Sequence, residues 1–540
     1  MLLMRVLDHL IKRAALPTMA RLLLERSLDA EHINALFKQI ATEQYTRLLL
    51  FSDIVALMCM VVTRMHRSVK AAYDTYKDVL PSISHVALYD KLKHVEPATM
   101  TALIHENAIR LGEVISELKA EITPLIPEFR TRIVDGNALA ATDHRLKELR
   151  KIGSAPLPGK SLVVFDYERD ITVETIPCED GHAQERSLFG KLLNLVHKGE
   201  VWIADRNFCT KKFLEGIVER GAHFIIRQHA GIRICFLSKL TPVGTCDNGK
   251  IFEQKVRIGA DPKGIIVRRI VIKLRSKNRD GDLLIGILTS LPPEIITALS
   301  VAEAYRKRWR LETMFRELTL ALRCEVKGLG APRAALFVFT IALLAANILA
   351  TIRAAIRAAH GSEAAENVSS YGLVNDLEST FRITEFVAQA DNDLPGRSHT
   401  DSYAVDTLVL ANECKSEIAS PEPPQPLTDE RARASCQDHK QHDASSIALI
   451  DENQSPIKNT SDDQLFGMDW RHFALLPLME FVALILRCAR NLKLHRYPKA
   501  PTRSRKLQAP KPKRVRSKYK PHVSTDRILN PARYALAAPS

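Results

Sequence analysis

The chain has 540 residues, 46% hydrophobic and 26% charged, which reads as globular but is too long for a single core, so two or three domains with linkers are expected. A net charge of +15 and a pI near 9.3 favour a polyanionic partner, nucleic acid first. The nine cysteines form no Cys-x-x-Cys and no Cys/His array with zinc spacing, which excludes a zinc module of that kind, and they read as reduced cytosolic thiols.

Residues 1–128 carry helical periodicity and form an expected N-terminal all-α domain. Asp8 and His9 interrupt the apolar N-terminus and no small-residue cleavage site follows, so no export signal is expected. Within this domain, residues 67–80 and 84–95 read as two helices joined by Pro81-Ser82-Ile83, with Ser82 or Ser84 as N-cap. That outline suits a helix-turn-helix offering His85, Tyr89, Lys91 and Lys93 to a major groove.

From residue 129 the pattern changes to short strands. Residues 132–135 form one, 161–167 and 171–177 a hairpin around Glu168-Arg169-Asp170, and 201–205 a fourth after a helix at 185–198. Residues 211–220 then read as helix and 222–227 as strand. Four further runs, 232–237, 251–258, 265–274 and 283–288, alternate apolar with basic residues and read as an antiparallel β insertion over about 228–297. Its Arg227, Arg233, Lys255, Arg257, Arg268, Arg269, Lys273, Arg275, Lys277 and Arg279 are candidates for phosphate contact.

A helix is expected next, and steps of four and three along it place Tyr305, Arg308, Glu312, Phe315 and Thr319 on one stripe. Glu303 and Glu317 fall off that face. Residues 335–352 read as a buried helix rather than a membrane span, since Thr340 and Asn347 interrupt an alanine-rich run. A helical extension at 361–390 precedes a polar segment at 391–466, expected to be disordered: its residues 391–463 hold fifteen acidic against six basic side chains. An apolar C-terminal helix at 467–492 and a basic tail at 493–540 close the chain.

Two β-branched runs end on aspartate, Arg-Ile-Val-Asp135-Gly-Asn and Val-Trp-Ile-Ala-Asp205-Arg-Asn. Carboxylates at strand ends, joined by Glu312 from a packed helix, make an oxygen-ligand set suited to magnesium and to in-line phosphoryl transfer. Asp143, Asp166 and Asp170 compete for these roles, but polar surroundings, a strand interior and a turn apex explain them structurally.

With these residues assembled, the sequence over about 130–350 resembles the DDE transposases of bacterial insertion sequences, in particular the insertion-sequence-four group. That group has an Asp-Gly motif, a later strand ending in Asp, and a signature of Tyr, two residues, Arg, three residues, Glu, six residues, Lys. Tyr305, Arg308 and Glu312 match its spacing, whereas Thr319 stands in place of the lysine. The resemblance implies an α/β RNase H-like catalytic core with an antiparallel β insertion over residues 129–360, and DNA contact by both the insertion and the N-terminal domain.

It further implies catalysis by Asp135, Asp205 and Glu312 around two Mg2+ ions, replaceable by Mn2+, cutting element ends and joining them to target DNA. Tyr305, Arg308, Trp309, Arg316, Arg206 and Asn207 are the implied DNA contacts, with Trp309 the tryptophan positioned to stack a base. The implied partners are double-stranded DNA, both terminal inverted repeats and target, and a second copy in a homodimer, with no membrane; the implied location is the bacterial cytoplasm at the nucleoid. A catalytically inactive relative acting as a DNA-binding regulator is the alternative.

Overall fold

The computed structural model describes residues 2–42, 48–77, 80–277, 281–377, 470–499 and 521–535. The N-terminal region is helical: α1 (Leu2–Arg13), α2 (Ala15–Ser27), α3 (Ala30–Ile40), α4 (Phe51–Val62), α5 (Val69–Thr75), α6 (His85–Lys93) and α7 (Pro97–Glu117). Local chemistry sets the starts. Asp29, Ser68 and Ser84 each accept a backbone N–H from the first turn of α3, α5 and α6, and Pro97 opens α7 where no N–H is needed.

Strands follow: β1 (Arg130–Ala138), β2 (Ala155–Leu157), β3 (Lys160–Asp166) and β4 (Ile171–Cys178), then the five-residue α8 (Phe189–Leu193), β5 (Glu200–Ala204), α9 (Lys211–Glu219) and β6 (His223–Arg227). The helix expected over 185–198 is thus a 3₁₀ turn at Glu185–Leu188 and one short helix. Next come β7 (Ile234–Phe236), β8 (Thr241–Cys246), β9 (Gly249–Ile258), β10 (Ile266–Leu274) and β11 (Leu284–Thr289). Among these β8 has no counterpart in the sequence reading, because Pro242, Gly244 and mostly exposed side chains hide its periodicity.

These strands build one ten-stranded mixed sheet in the order β4-β3-β1-β5-β6-β11-β10-β9-β7, with β8 also paired to β9. Strand β1 lies antiparallel to β3 and parallel to β5, and β5 parallel to β6. The antiparallel strands expected as an insertion continue this sheet through β11, which pairs with β6 at Ile225, Ile226 and Arg227. One face is packed by Val134, Leu162, Val164, Trp202, Ala204, Phe224 and Ile226 against Phe189, Leu192, Phe213, Leu214 and Ile217 of α8 and α9. By the two-residue period, the buried Ile133, Val163, Ile203 and Ile225 point to the opposite face.

After the sheet come α10 (Ala298–Arg306), α11 (Trp309–Ala321), α12 (Pro332–His360), α13 (Ser362–Glu366) and α14 (Ser370–Leu377). Helix α12 is 29 residues long and apolar enough to cross a membrane, yet it lies inside the protein against α4, α7 and β4. Its one amide serves the sheet. Asn347 Oδ1 accepts the Thr172 N–H at 2.8 Å, and Nδ2 donates to the Thr172 carbonyl at 2.8 Å and to Asn107 Oδ1 at 2.9 Å. Asn347→Leu would strand both backbone groups of Thr172 in an apolar setting at about 1–3 kcal/mol each, so a denaturant midpoint should drop by an amount equivalent to roughly 3 kcal/mol. An unchanged midpoint would mean that these bonds are dispensable.

The C-terminal helix expected over 467–492 is two helices, α15 (Trp470–Ala474) and α16 (Leu478–Arg490), and α16 packs on α12. Where a basic tail was expected, residues 521–535 hold β12 (His522–Ser524), α17 (Thr525–Leu529) and α18 (Pro531–Ala535), with β12 parallel to β2. Arg527 grips Asp180 through Nη2 at 2.9 Å, and the buried Asp526 accepts from Asn530 and the Tyr534 hydroxyl. The acidic segment at 391–466, the 378–390 part of the helical extension and most of the basic tail lie outside the described residues.

Candidate active site

Register brings the two aspartates together. Strands β1 and β5 pair in parallel from Arg130↔Glu200 to Val134↔Ala204, so Asp135 and Asp205 occupy the next level on neighbouring strands. Equal register in a parallel pair puts both on the face of Ile133 and Ile203, about 5 Å apart at the backbone. Asp135 is not a strand end, as its run suggested: β1 continues to Ala138 against β3, with Asp135 opposite Val163. Only the pairing to β5 stops there. Asp205 does end its strand, and its Oδ1 caps the following 3₁₀ turn by accepting the Asn207 N–H at 2.8 Å.

Glu312 arrives from α11. The expected continuous helix is broken: α10 ends at Arg306 and α11 begins at Trp309, with Lys307 and Arg308 in a tightened turn. Arg308 N–H donates to the Tyr305 carbonyl at 3.1 Å and Leu311 N–H to the Arg308 carbonyl at 3.1 Å, the i→i−3 pattern of a 3₁₀ turn. No Gly or Pro forces this. Two arginines, one in the turn and one just after it, are instead anchored to different parts of the sheet. Arg308 reaches Asp135 on β1, while Arg310 makes a bidentate pair with Asp170, beside β4, at 2.8 and 2.7 Å.

The Arg308 guanidinium is the centre of the cluster. Its Nη1 donates to Asp135 Oδ2 at 2.9 Å and its Nη2 to Glu312 Oε1 at 2.5 Å. Burial disfavours its charge, but Tyr305, Asp135 and Glu312 outweigh burial and hold its pKa above the ordinary value. Asp135 is pushed up to about 6, first by burial and then by repulsion from Asp205 and Glu312, with Arg308 and the Gly136 N–H opposing. Tyr305 is nearly buried, and burial raises its hydroxyl pKa. Thus Asp135, Asp205, Glu312, Arg308 and Tyr305 share one electrostatic site.

The remaining expected contacts are next to its members in the chain. Trp309 is 62% exposed beside Arg308, and Arg316, Arg206 and Asn207 are also exposed. The rival acids are engaged elsewhere: Asp166 with Arg132 at 2.7 Å, Asp143 with Arg145 at 3.3 Å, and Glu317 with Ser370 at 2.9 Å. Glu185 was missed from the sequence. Its Oε1 would lie 2.3 Å from a Cβ added at Gly136, and burial followed by repulsion from Asp205 raises its pKa. The signal was the glycine after Asp135, which leaves room for that carboxylate.

Several expected DNA contacts are already engaged with other groups of the protein. Lys91 donates to the Leu49 carbonyl and His85 pairs with Asp74 at 2.7 Å, so α6 does not present these two freely. Arg227 pairs with Asp282 at 2.7 Å, Arg268 is buried against Glu253 at 2.6 Å, and Arg269 bonds Gln228 at 2.8 Å. Arg233, Lys255, Lys273, Arg275 and Lys277 remain exposed, Arg257 is half-buried, and Arg279 lies outside the described residues.

Residues 130–348 match the family model described as the transposase DDE domain. The matched span opens on the first residue of β1 and closes within α12, so it contains every element of the carboxylate site. Among solved structures the chain is similar to a piggyBac transposase synaptic complex with hairpin DNA, at 12% identity and TM-score 0.35, over 78% of this chain and 89% of that one. No curated protein gives a significant match.

The donor chemistry suits a hard divalent cation, since three carboxylates converge and a guanidinium already stands between two of them as a substitute positive charge. Among the described residues, no three His, Cys, Asp or Glu side chains are close enough to hold one ion as they stand. Arg308 fills the space between Asp135 and Glu312, so binding an ion there requires its guanidinium to give up at least one carboxylate.

Proposed function

We propose that this protein is a DDE transposase that cuts the ends of an insertion sequence and joins them to target DNA, with Asp135, Asp205 and Glu312 as its catalytic acids on an RNase H-like core. The observation that carries the reading is the in-register approach of Asp135 and Asp205 beside Glu312, inside the span that matches the transposase domain. Asp135, Asp205 and Glu312 would hold two Mg2+ ions, or Mn2+ in their place. Such ions supply Lewis-acid activation of the attacking oxygen and stabilisation of the leaving one.

This chain's own residues do the rest. Arg308 and Tyr305 orient Glu312 and meet phosphate as DNA enters; the bidentate fork of Arg308 can pass from carboxylate to phosphate oxygens. Trp309 offers an exposed ring to a base, and the exposed Arg206, Asn207 and Arg316 follow the catalytic acids in the chain and would contact phosphate. A homodimer on paired element ends in a bacterial cytoplasm completes the proposal.

Purified full-length protein should nick duplex carrying its element ends in Mg2+ and not in chelator, and its DNA affinity should fall steeply with salt. Steep binding without any cleavage would favour a DNA-binding regulator instead.

A further inference from the structure

Away from the carboxylates, the C-terminal end of α11 docks on the turn that follows α4. Arg323 N–H donates to the Val62 carbonyl at 2.8 Å, Arg323 Nη1 to the carbonyls of His66 and Arg67 at 3.0 Å each, and Arg64 Nη2 to the Leu320 carbonyl at 2.8 Å. Arg64 adopts a left-handed backbone, φ 70°, which costs a side-chain-bearing residue on the order of 1 kcal/mol, so packing holds this turn in an unfavourable shape. Arginines from two distant parts of the chain therefore converge.

We propose that Arg64, Arg67 and Arg323 form a binding site for backbone phosphates of duplex DNA, distinct from the carboxylate site and set beyond the end of α11. This rests on the DNA reading above and adds to it the path of the duplex. No carboxylate pairs with any of the three among the described residues. Carbonyls at a helix end commonly attract arginine, which accounts for one amino group each of Arg64 and Arg323 but leaves the assembled charge without a counter-ion among the described residues. Burial, then the positive charges of Arg64 and Arg67, draw the Arg323 pKa down, as expected for guanidinium groups crowded together.

The site continues a track. Along α11, Glu312 is followed one turn later by exposed Arg316, and the helix ends nine residues past Glu312, roughly 14 Å along its axis, or about four base-pair steps. Thr319 lies between, exposed, with its Oγ1 donating to the Phe315 carbonyl of its own helix at 3.0 Å. The arginine cluster thus supplies positive charge one turn beyond the position where lysine is absent.

The test is anisotropy titration of full-length protein with a mixed-sequence duplex at several salt concentrations. Arg64→Gln with Arg67→Gln should lower the salt slope by about 1.8, about 0.9 per lost contact, and weaken binding by roughly 50-fold at 0.1 M salt, equally for unrelated sequences. Arg67→Glu, whose side chain bonds none of the docking carbonyls, should weaken binding while leaving the thermal melt unchanged, which separates charge from folding. Steep binding by the wild type matched in full by both variants would overturn the site alone. A wild type with no salt-dependent binding would overturn the site and the reading beneath it together.

Discussion

Asp135→Asn should abolish end cleavage and at the same time make the metal-free protein more stable at neutral pH. Loss of activity follows from removing one of the three acids proposed to act as a unit, for which a fall of about three orders of magnitude or more is the expected scale. Glu312→Gln should abolish cleavage as well. The stability gain follows from the Asp135 carboxyl, which titrates near 6 in the folded protein against an ordinary 3.8, because burial and the charges of Asp205 and Glu312 oppose its ionisation.

A raised acid pKa means that the folded state keeps its proton longer than the unfolded chain. Stability therefore falls as pH rises from about 4 to 6, by at most about 3 kcal/mol, and stays lower above that window. Asparagine cannot ionise, so melts in chelator at pH 4.5 and 7.5 should differ less for Asp135→Asn than for wild type. Equal pH dependence in the two proteins would show that Asp135 is not the strained group.

Asp170→Asn should lower stability by about 3–5 kcal/mol, the scale for breaking a buried ion pair on one side. Asp170 is buried with a left-handed backbone, φ 61°, takes both forks of Arg310, and has Arg353 at 3.7 Å. Burial alone would raise its pKa, but Arg310, Arg353 and Arg357 prevail and hold it below the carboxylate range. This contribution is present above the ordinary aspartate pKa and lost as pH falls through the depressed one.

Asparagine tolerates the same backbone, so the substitution reads charge rather than turn strain. Because Arg310 lies two residues from Glu312, cleavage should fall more than DNA affinity does. Adding Arg310→Met to Asp170→Asn should recover much of the lost stability; a double variant as unstable as the sum of its parts would show the pair to be uncoupled.

Asp135, Asp205 and Glu312 were legible because strand periodicity and one helical stripe mark them, and parallel register did the rest. Asp170 was read as an ordinary turn aspartate. Its arginine lies 140 residues further on, and nothing local announces a partner at that separation. Glu185 escaped for a different reason: residues 185–198 read as one helix, whereas Glu185 sits in a 3₁₀ turn with its carboxylate against Gly136. The break at Lys307 and Arg308 is likewise a tertiary effect on residues with good helix propensity. Strand β8 and the folded segment at 522–535 lack apolar alternation, so periodicity had nothing to detect.

Helix α12 gives the chain a built-in order of assembly. The elements that enclose it from the amino-terminal side, α4, α7 and β4, leave the ribosome before it does, whereas α13, α14 and α16, which also pack on it, follow. Its long greasy stretch therefore emerges into surroundings already prepared to receive it. A circular permutant that synthesised 332–360 first would expose that stretch alone, and it should be recovered in inclusion bodies or at the inner membrane.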